Sequence, residues 1–173
     1  MKRLILLRHA KSSWRDATAG DLERPLSDRG ERDAPRMGAR LRQLGAAPQL
    51  VLTSHAERAL RTAKVVAREL DYPQERIRVV PQLYMASPAE MLAVLTAQDP
   101  RIACLLMVGH NPGLTELVDL LLPSLGLDNV PTAGAIAIDF ETDQWPSLTG
   151  APRELVFYDY PKNPQPVTAA PKR

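Results

Sequence analysis

The chain has 173 residues, 45% of them hydrophobic and 24% charged, which argues against a disordered or membrane class and is enough for one well-buried core. A formal net charge of +2 gives no electrostatic case for nucleic acid, and no stretch approaches the roughly twenty apolar residues that cross a bilayer. The single cysteine, Cys104, sits in the apolar run 102–108, so no intrachain disulfide can form, and a buried thiol in a cytoplasmic protein is expected.

The first element is four apolar residues, Leu4-Ile5-Leu6-Leu7, between Lys2-Arg3 and Arg8-His9. Four residues are too few for the roughly seven or more of an export signal, and the run reads as a short strand buried on both faces. A polar, arginine-rich connection over 11–30 follows, containing Arg24-Pro25-Leu26-Ser27-Asp28-Arg29-Gly30. Ala34, Met37, Leu41 and Leu44 at helical spacing predict a helix over 31–44, with Gly45 as its stop. Residues 50–53 are a second buried strand. Ser54 and Glu57 then have capping-box spacing and predict a helix that starts at Ser54 and continues to about Leu70.

A weaker strand over 77–80 is closed by Pro81, and a helix is expected over 88–95 with Pro88 in its first turn. Residues 102–108 are apolar at every position and predict a central strand. It runs into Gly109-His110-Asn111-Pro112-Gly113 and a helix over 114–122, with Asn111 as N-cap and Pro112 at the first position. Late strands over 135–140 and 154–158 are expected to be antiparallel and near an edge. Four prolines among the last thirteen residues mark 161–173 as a linker-like tail after a domain over 1–160.

Strands alternating with helices predict a three-layer α/β/α sandwich around a mostly parallel sheet, whose ligands gather at the carboxyl ends of its strands. Three such ends carry anion-binding chemistry: Arg8 and His9, then Ser54, His55 and Arg58, then His110 and Asn111. All three histidines of the chain lie at these ends. Forked arginine donors and helix N-termini suit the oxygens of a phosphoryl group. Nearby arginines disfavour an imidazolium and keep a histidine nitrogen available as a nucleophile. Taken singly, each group has a plainer explanation: an arginine as a solvated cap, Ser54 and Glu57 as helix capping, and His110-Asn111-Pro112 as a turn.

Together, Leu7-Arg8-His9-Ala10-Lys11-Ser12, Ser54-His55-Ala56-Glu57-Arg58-Ala59-Leu60-Arg61-Thr62-Ala63 and Val108-Gly109-His110-Asn111-Pro112 resemble the successive motifs of the histidine phosphatase superfamily, with its phosphoglycerate-mutase-like fold. Within it the chain is most like the small SixA-type phosphohistidine phosphatases. The resemblance implies His9 as the phosphorylated nucleophile inside a pocket of Arg8, Arg58 and His110. Arg24-Pro25-Leu26 resembles a segment near that pocket, and Ser12, Arg24 and Asn111 are counted with the phosphate-binding residues.

Two positions depart from the family pattern. Ala10 replaces a common glycine, and 83–86 reads Leu-Tyr-Met-Ala where mutase-like members place a carboxylic acid that protonates a leaving alcohol. A phosphorylated imidazole leaves without such an acid once its ring is protonated, which favours phosphohistidine as substrate. Glu90, Glu57 and Asp21 remain candidate acids, and His55 and Arg61 are undecided. The expected activity is ping-pong phosphatase chemistry on a phosphorylated protein, with no cofactor, no metal, no nucleic acid and no membrane as partner. A small-molecule phosphomonoesterase and a non-catalytic phosphate-binding module are the alternatives. Metal binding by the three histidines is disfavoured by the arginine beside His9.

Overall fold

In a computed structural model describing residues 1–169, the apolar runs become the strands of one seven-stranded sheet of order β3-β2-β4-β1-β5-β6-β7. Strands β1 (Lys2–Arg8), β2 (Leu50–Thr53), β3 (Arg78–Val79) and β4 (Cys104–Gly109) are mutually parallel. Strands β5 (Ala135–Phe140), β6 (Arg153–Asp159) and β7 (Val167–Thr168) extend the sheet in antiparallel steps from β1. The sheet is therefore mixed, three neighbour pairings parallel and three antiparallel, where a mostly parallel one is expected from sequence. The β5–β6 and β6–β7 connections contain no α-helix and give antiparallel pairs, whereas each parallel crossover needs a longer segment; β5 follows the helix Gly113–Leu121 yet runs antiparallel beside β1.

β1 shows why its sequence lacks alternation. Leu4 and Leu6 enter the core cluster shared with α3 (Pro88–Thr96) and α4 (Gly113–Leu121). Ile5 and Leu7 enter the other cluster, with α1 (Asp28–Gln43) and α2 (Glu57–Glu69). All four side chains are fully buried, each worth about 1.5–3 kcal/mol of hydrophobic stabilisation. Helices thus cover both faces, in three layers.

Element starts differ from the sequence expectation where side chains find other partners. α1 begins three residues early because Ser27 accepts from the Gly30 amide at 3.1 Å. α2 begins at Glu57 instead of Ser54, after extended Ala56, and the Ser54 hydroxyl is directed to His110. Pro112, joined to Asn111 by a cis peptide bond, is the N-cap of α4 in place of Asn111, whose carboxamide oxygen accepts from Thr115 at 3.2 Å (N) and 2.8 Å (Oγ1). α3 starts at Pro88 as expected, with a capping box of Ser87 and Glu90. Part of the proline-rich tail is ordered as β7, paired with β6, and residues 170–173 lie outside the described residues. No described helix is long and apolar enough to cross a membrane.

Candidate active site

β2, β4 and β1 are adjacent and parallel, so the residues after their carboxyl ends meet above one sheet edge. There a cavity of about 350 Å³ is lined by Arg8, His9, Arg58 and His110, with Ser12, Arg24 and Asn111 also in its wall. The backbone at the end of β1 is fixed from both sides. The Ala133 amide donates to the carbonyls of both Arg8 and His9 at 3.1 Å, and Ala133 holds a left-handed conformation, φ +59°, which a non-glycine residue adopts only at a cost. The Ala10 amide donates to Thr62 Oγ1 at 3.0 Å, and Thr62 in turn donates to the Arg58 carbonyl at 2.7 Å. Thr62 therefore couples the turn after His9 to the first turns of α2.

The tautomer of His9 follows from one contact. Its Nδ1 lies 2.7 Å from the Ala10 carbonyl oxygen, which can only accept, so Nδ1 carries the proton and Nε2 keeps the lone pair. Burial is the largest influence on this ring and lowers its pKa to about 4, with Arg58, Arg8 and Arg24 adding positive charge in the same direction. The sequence reading assigns that effect to the arginines; desolvation contributes more.

His110 lies against His9, ring centroids 5.1 Å apart, and burial followed by the His9 and Arg58 charges lowers its pKa to about 3. Its Nε2 is 2.6 Å from Ser54 Oγ, and its Nδ1 is buried without a partner. When the Ser54 hydroxyl donates to Nε2, the proton of the neutral ring sits on Nδ1. That N–H is then an unmet donor, a costly arrangement unless a ligand oxygen meets it.

Four cations, Arg8, Lys11, Arg24 and Arg58, and one carboxylate, Asp21, line the cavity. Arg8 donates Nη1 to the Val130 carbonyl at 2.8 Å, while its Nε is buried and unpartnered. Burial alone draws its pKa downward. Arg58, 3% exposed, donates to the Asp21 carbonyl at 2.7 Å and to its Oδ2 at 3.0 Å. Arg24 donates to Asp21 Oδ1 at 3.0 Å and to Ser12 Oγ. This segment is laid over the cavity by backbone pairing of 11–13 with 25–27, which explains Gly30: a Cβ there would collide with the Lys11 carbonyl oxygen.

The candidate acids separate clearly. The Tyr84 hydroxyl first, then Arg24 and Arg58, hold Asp21 down to about 2, so it is ionised at neutral pH. Glu90 is occupied by the Ser87 amide at 2.8 Å, and neither it nor exposed Glu57 lines the cavity. Both donor hydrogens of the Asn111 carboxamide are engaged, by Asn129 and the Val130 carbonyl, so its side chain braces that loop. Arg61 pairs with Glu31 at 3.0 Å, away from the cavity. Exposed His55 is the outer end of a row of rings, His9–His110–Tyr84–His55, with successive centroids 5.1, 5.5 and 5.6 Å apart. Tyr84 and Trp14 escape sequence reasoning because loop positions carry no periodic signal, and Thr62 because a polar residue inside a helix does not reveal its long-range hydrogen bond. The His110 contact of Ser54 is hidden by its capping-box spacing.

Residues 4–83 match the model of the histidine phosphatase superfamily (branch 1). An uncharacterized chloroplastic protein of Arabidopsis thaliana is 37% identical over 69% of this chain, and the match spans 59% of that relative's length. An uncharacterized Mycobacterium tuberculosis protein is 32% identical over 90% of this chain and the whole of its own. The fold is similar to a structure from Agrobacterium tumefaciens provisionally assigned as the phosphohistidine phosphatase SixA, with a TM-score of 0.77 and 23% identity over 92% of this chain and 98% of that one. The motifs fall in with this family model, and the chain belongs to the histidine phosphatase superfamily.

Proposed function

We propose that the protein is a phosphatase working through a phosphohistidine intermediate on His9, and that its substrate is a phosphorylated histidine side chain of another protein. The observation that carries the reading is the His9 ring itself. Its Nδ1 proton is committed to the Ala10 carbonyl, and its Nε2 lone pair belongs to a cavity edged by arginines. The Nε2 lone pair attacks phosphorus, the bond to the leaving group breaks, and Nε2 becomes bonded to phosphorus. The ring then carries a positive charge, which the Ala10 carbonyl stabilises through Nδ1–H. Water attacks the same phosphorus in a second step, the electron pair of the P–N bond returns to Nε2, and phosphate departs. Arg8, Arg58 and the His110 Nδ1–H are placed to meet the equatorial oxygens in both steps, with Arg24 beside them.

The substrate assignment rests on proton supply. An alkoxide needs an acid, and the carboxyl group in the cavity wall, Asp21, is already ionised. Tyr84 donates its proton to that same carboxylate, which raises the phenol pKa further. Transfer from one imidazole to another needs no enzyme acid and exchanges similar bonds.

The test is acid- and base-quench trapping of enzyme mixed with a phosphohistidine-bearing protein. An acid-labile, base-stable phosphoryl group on wild type, absent from His9→Ala, is the expected result. Turnover by His9→Ala at the wild-type rate would overturn the assignment, and a clear kcat/KM preference for small phosphomonoesters would overturn the substrate.

A further inference from the structure

Asp21 and Trp14 have no role in the chemistry above, yet both line the cavity and both sit on the same guanidinium. The edge of Arg24 holds Asp21, Nη1 to Oδ1 3.0 Å, and its face carries Trp14, with the guanidinium carbon 3.3 Å from a ring centroid. The indole is 72% exposed although one face covers Arg24, so its other face is open to solvent. Exposed Met85 also lines the cavity, in the left-handed region at φ +49°, where a methionine pays backbone strain. An aromatic face and a strained apolar side chain left in water at a cavity wall indicate a surface that is covered when a ligand is present.

The charge of Asp21 needs its own explanation. A carboxylate in the wall of a phosphoryl-binding cavity repels the phosphoryl group, which is a poor arrangement unless the substrate also brings positive charge. Asp21 is not fully engaged: Oδ2 accepts from Arg58 and Tyr84, but Oδ1 accepts from Arg24 alone, leaving a lone-pair direction free.

We propose that Asp21 and Trp14 form the leaving-group end of the cavity, built to take a flat, cationic ring: the protonated imidazole of a phosphorylated histidine. The proposal rests on the phosphatase reading and gives it a recognition element. Asp21 Oδ1 accepts the ring N–H opposite the phosphoryl-bearing nitrogen, and the open indole face stacks on the ring. As His9 Nε2 bonds to phosphorus, the substrate P–N bond breaks and its electron pair stays on the substrate nitrogen. The substrate leaves as neutral imidazole with its N–H proton in place. The positive charge passes from the ring beside Asp21 to the ring beside the Ala10 carbonyl, and no enzyme group gives up a proton. A serine or sugar phosphate offers neither the charge nor the ring.

The experiment compares kcat/KM for a phosphohistidine peptide, p-nitrophenyl phosphate and acetyl phosphate. In Asp21→Asn the ratio of phosphohistidine peptide to p-nitrophenyl phosphate should fall roughly tenfold or more, because only the first substrate brings a cationic ring. In Trp14→Leu the ratio of phosphohistidine peptide to acetyl phosphate should fall about fivefold, and Trp14→Phe should restore it. Equal losses on all substrates would overturn the proposal, leaving Asp21 and Trp14 as supports of Arg24 and Arg58. Where Asp21→Asn loosens the fold, wild type decides: free imidazole should compete with p-nitrophenyl phosphate when protonated and not when neutral, and the absence of competition overturns the subsite. The wild-type rates keep the two ideas apart. No phosphoryl transfer from the peptide sinks the substrate reading and this inference together, whereas transfer with unchanged ratios in the variants sinks this inference alone.

Discussion

Two buried clusters of charge, one where α1 meets the end of β6 and one above the ends of β1, β2 and β4, follow opposite rules. Asp159 is fully buried, and its Oδ1 accepts from Arg40 at 2.7 Å, from the Tyr160 amide at 2.9 Å and from Asn163 at 3.2 Å. Arg40 also donates Nη1 to the Tyr160 carbonyl and Nη2 to the Asn163 carbonyl in the segment that follows. Asp159 Oδ2 is buried without a hydrogen-bond partner, so the two clusters differ in charge balance: here one charge answers the other, and the cluster ties the end of the sheet to a helix. Above β1, four cations share one carboxylate, Arg8 has no acidic partner among the described residues, and a buried nitrogen of His110 has no partner at all. Structural charge is neutralised locally, while the cavity keeps an excess that only an anion from outside can meet.

The sharpest test of that contrast deletes the nucleophile. His9→Ala should lower phosphatase turnover by roughly 10³-fold or more, with a thermal midpoint close to wild type, as steady-state kinetics and a melting curve would check. The next pair of variants sets the two clusters against each other. Arg8→Gln should cost about 10²–10³-fold in kcat/KM by removing a preorganised donor, and leave stability within about 1 kcal/mol because it relieves an unpaired charge. Arg40→Leu strands Asp159 and should cost about 3–5 kcal/mol in denaturant unfolding, while activity per folded molecule is kept. The contrast fails if Arg8→Gln destabilises as much as Arg40→Leu does.

Ser54→Ala is smaller in effect. Losing the hydroxyl frees the tautomer of His110, and kcat should drop about tenfold with little change in KM, as a positioning role requires. An unchanged kcat would return Ser54 to a purely local role.

Acidity acts on stability through the same two rings. His9 and His110 bind protons at about 4 and about 3 in the folded chain, against 6.5 unfolded, so as pH falls from 6.5 towards 4 the unfolded state binds more protons and stability falls. Each histidine contributes up to ~1.4 kcal/mol per pH unit in that window, so unfolding midpoints measured across it should vary less in His9→Ala than in wild type. Enzyme phosphorylation should hold its rate below the ordinary histidine range and decline only as His9 protonates near pH 4.

Much of the fold was legible in the chain because burial writes itself into composition. A strand covered on both faces is apolar at every position, so β1, β2 and β4 announce themselves, and Arg8, His9, Arg58 and His110 stand just after such runs. Their convergence needed only that β2, β4 and β1 be neighbours, as the sheet makes them. The direction of β5 and β6 was also readable, and β6 lies one strand from the edge as expected, but β5 pairs with β1 further inside the sheet.

What only the tertiary structure decided is where multivalent polar groups spend their hydrogen bonds. Ser54 has the spacing of a cap yet bonds His110, and Asn111 accepts from the Thr115 amide as a cap does while its Nδ2 braces the 129–130 loop. Asp21, a possible acid by composition, is held ionised by partners from α2, from its own loop and from the 84–85 turn. The sequence by itself determined which elements form and which residues end them, since both follow from local pattern and burial. Long-range packing decided the protonation state of those residues, because burial, the charges that face a group and the partner at its free nitrogen come from segments distant in the chain.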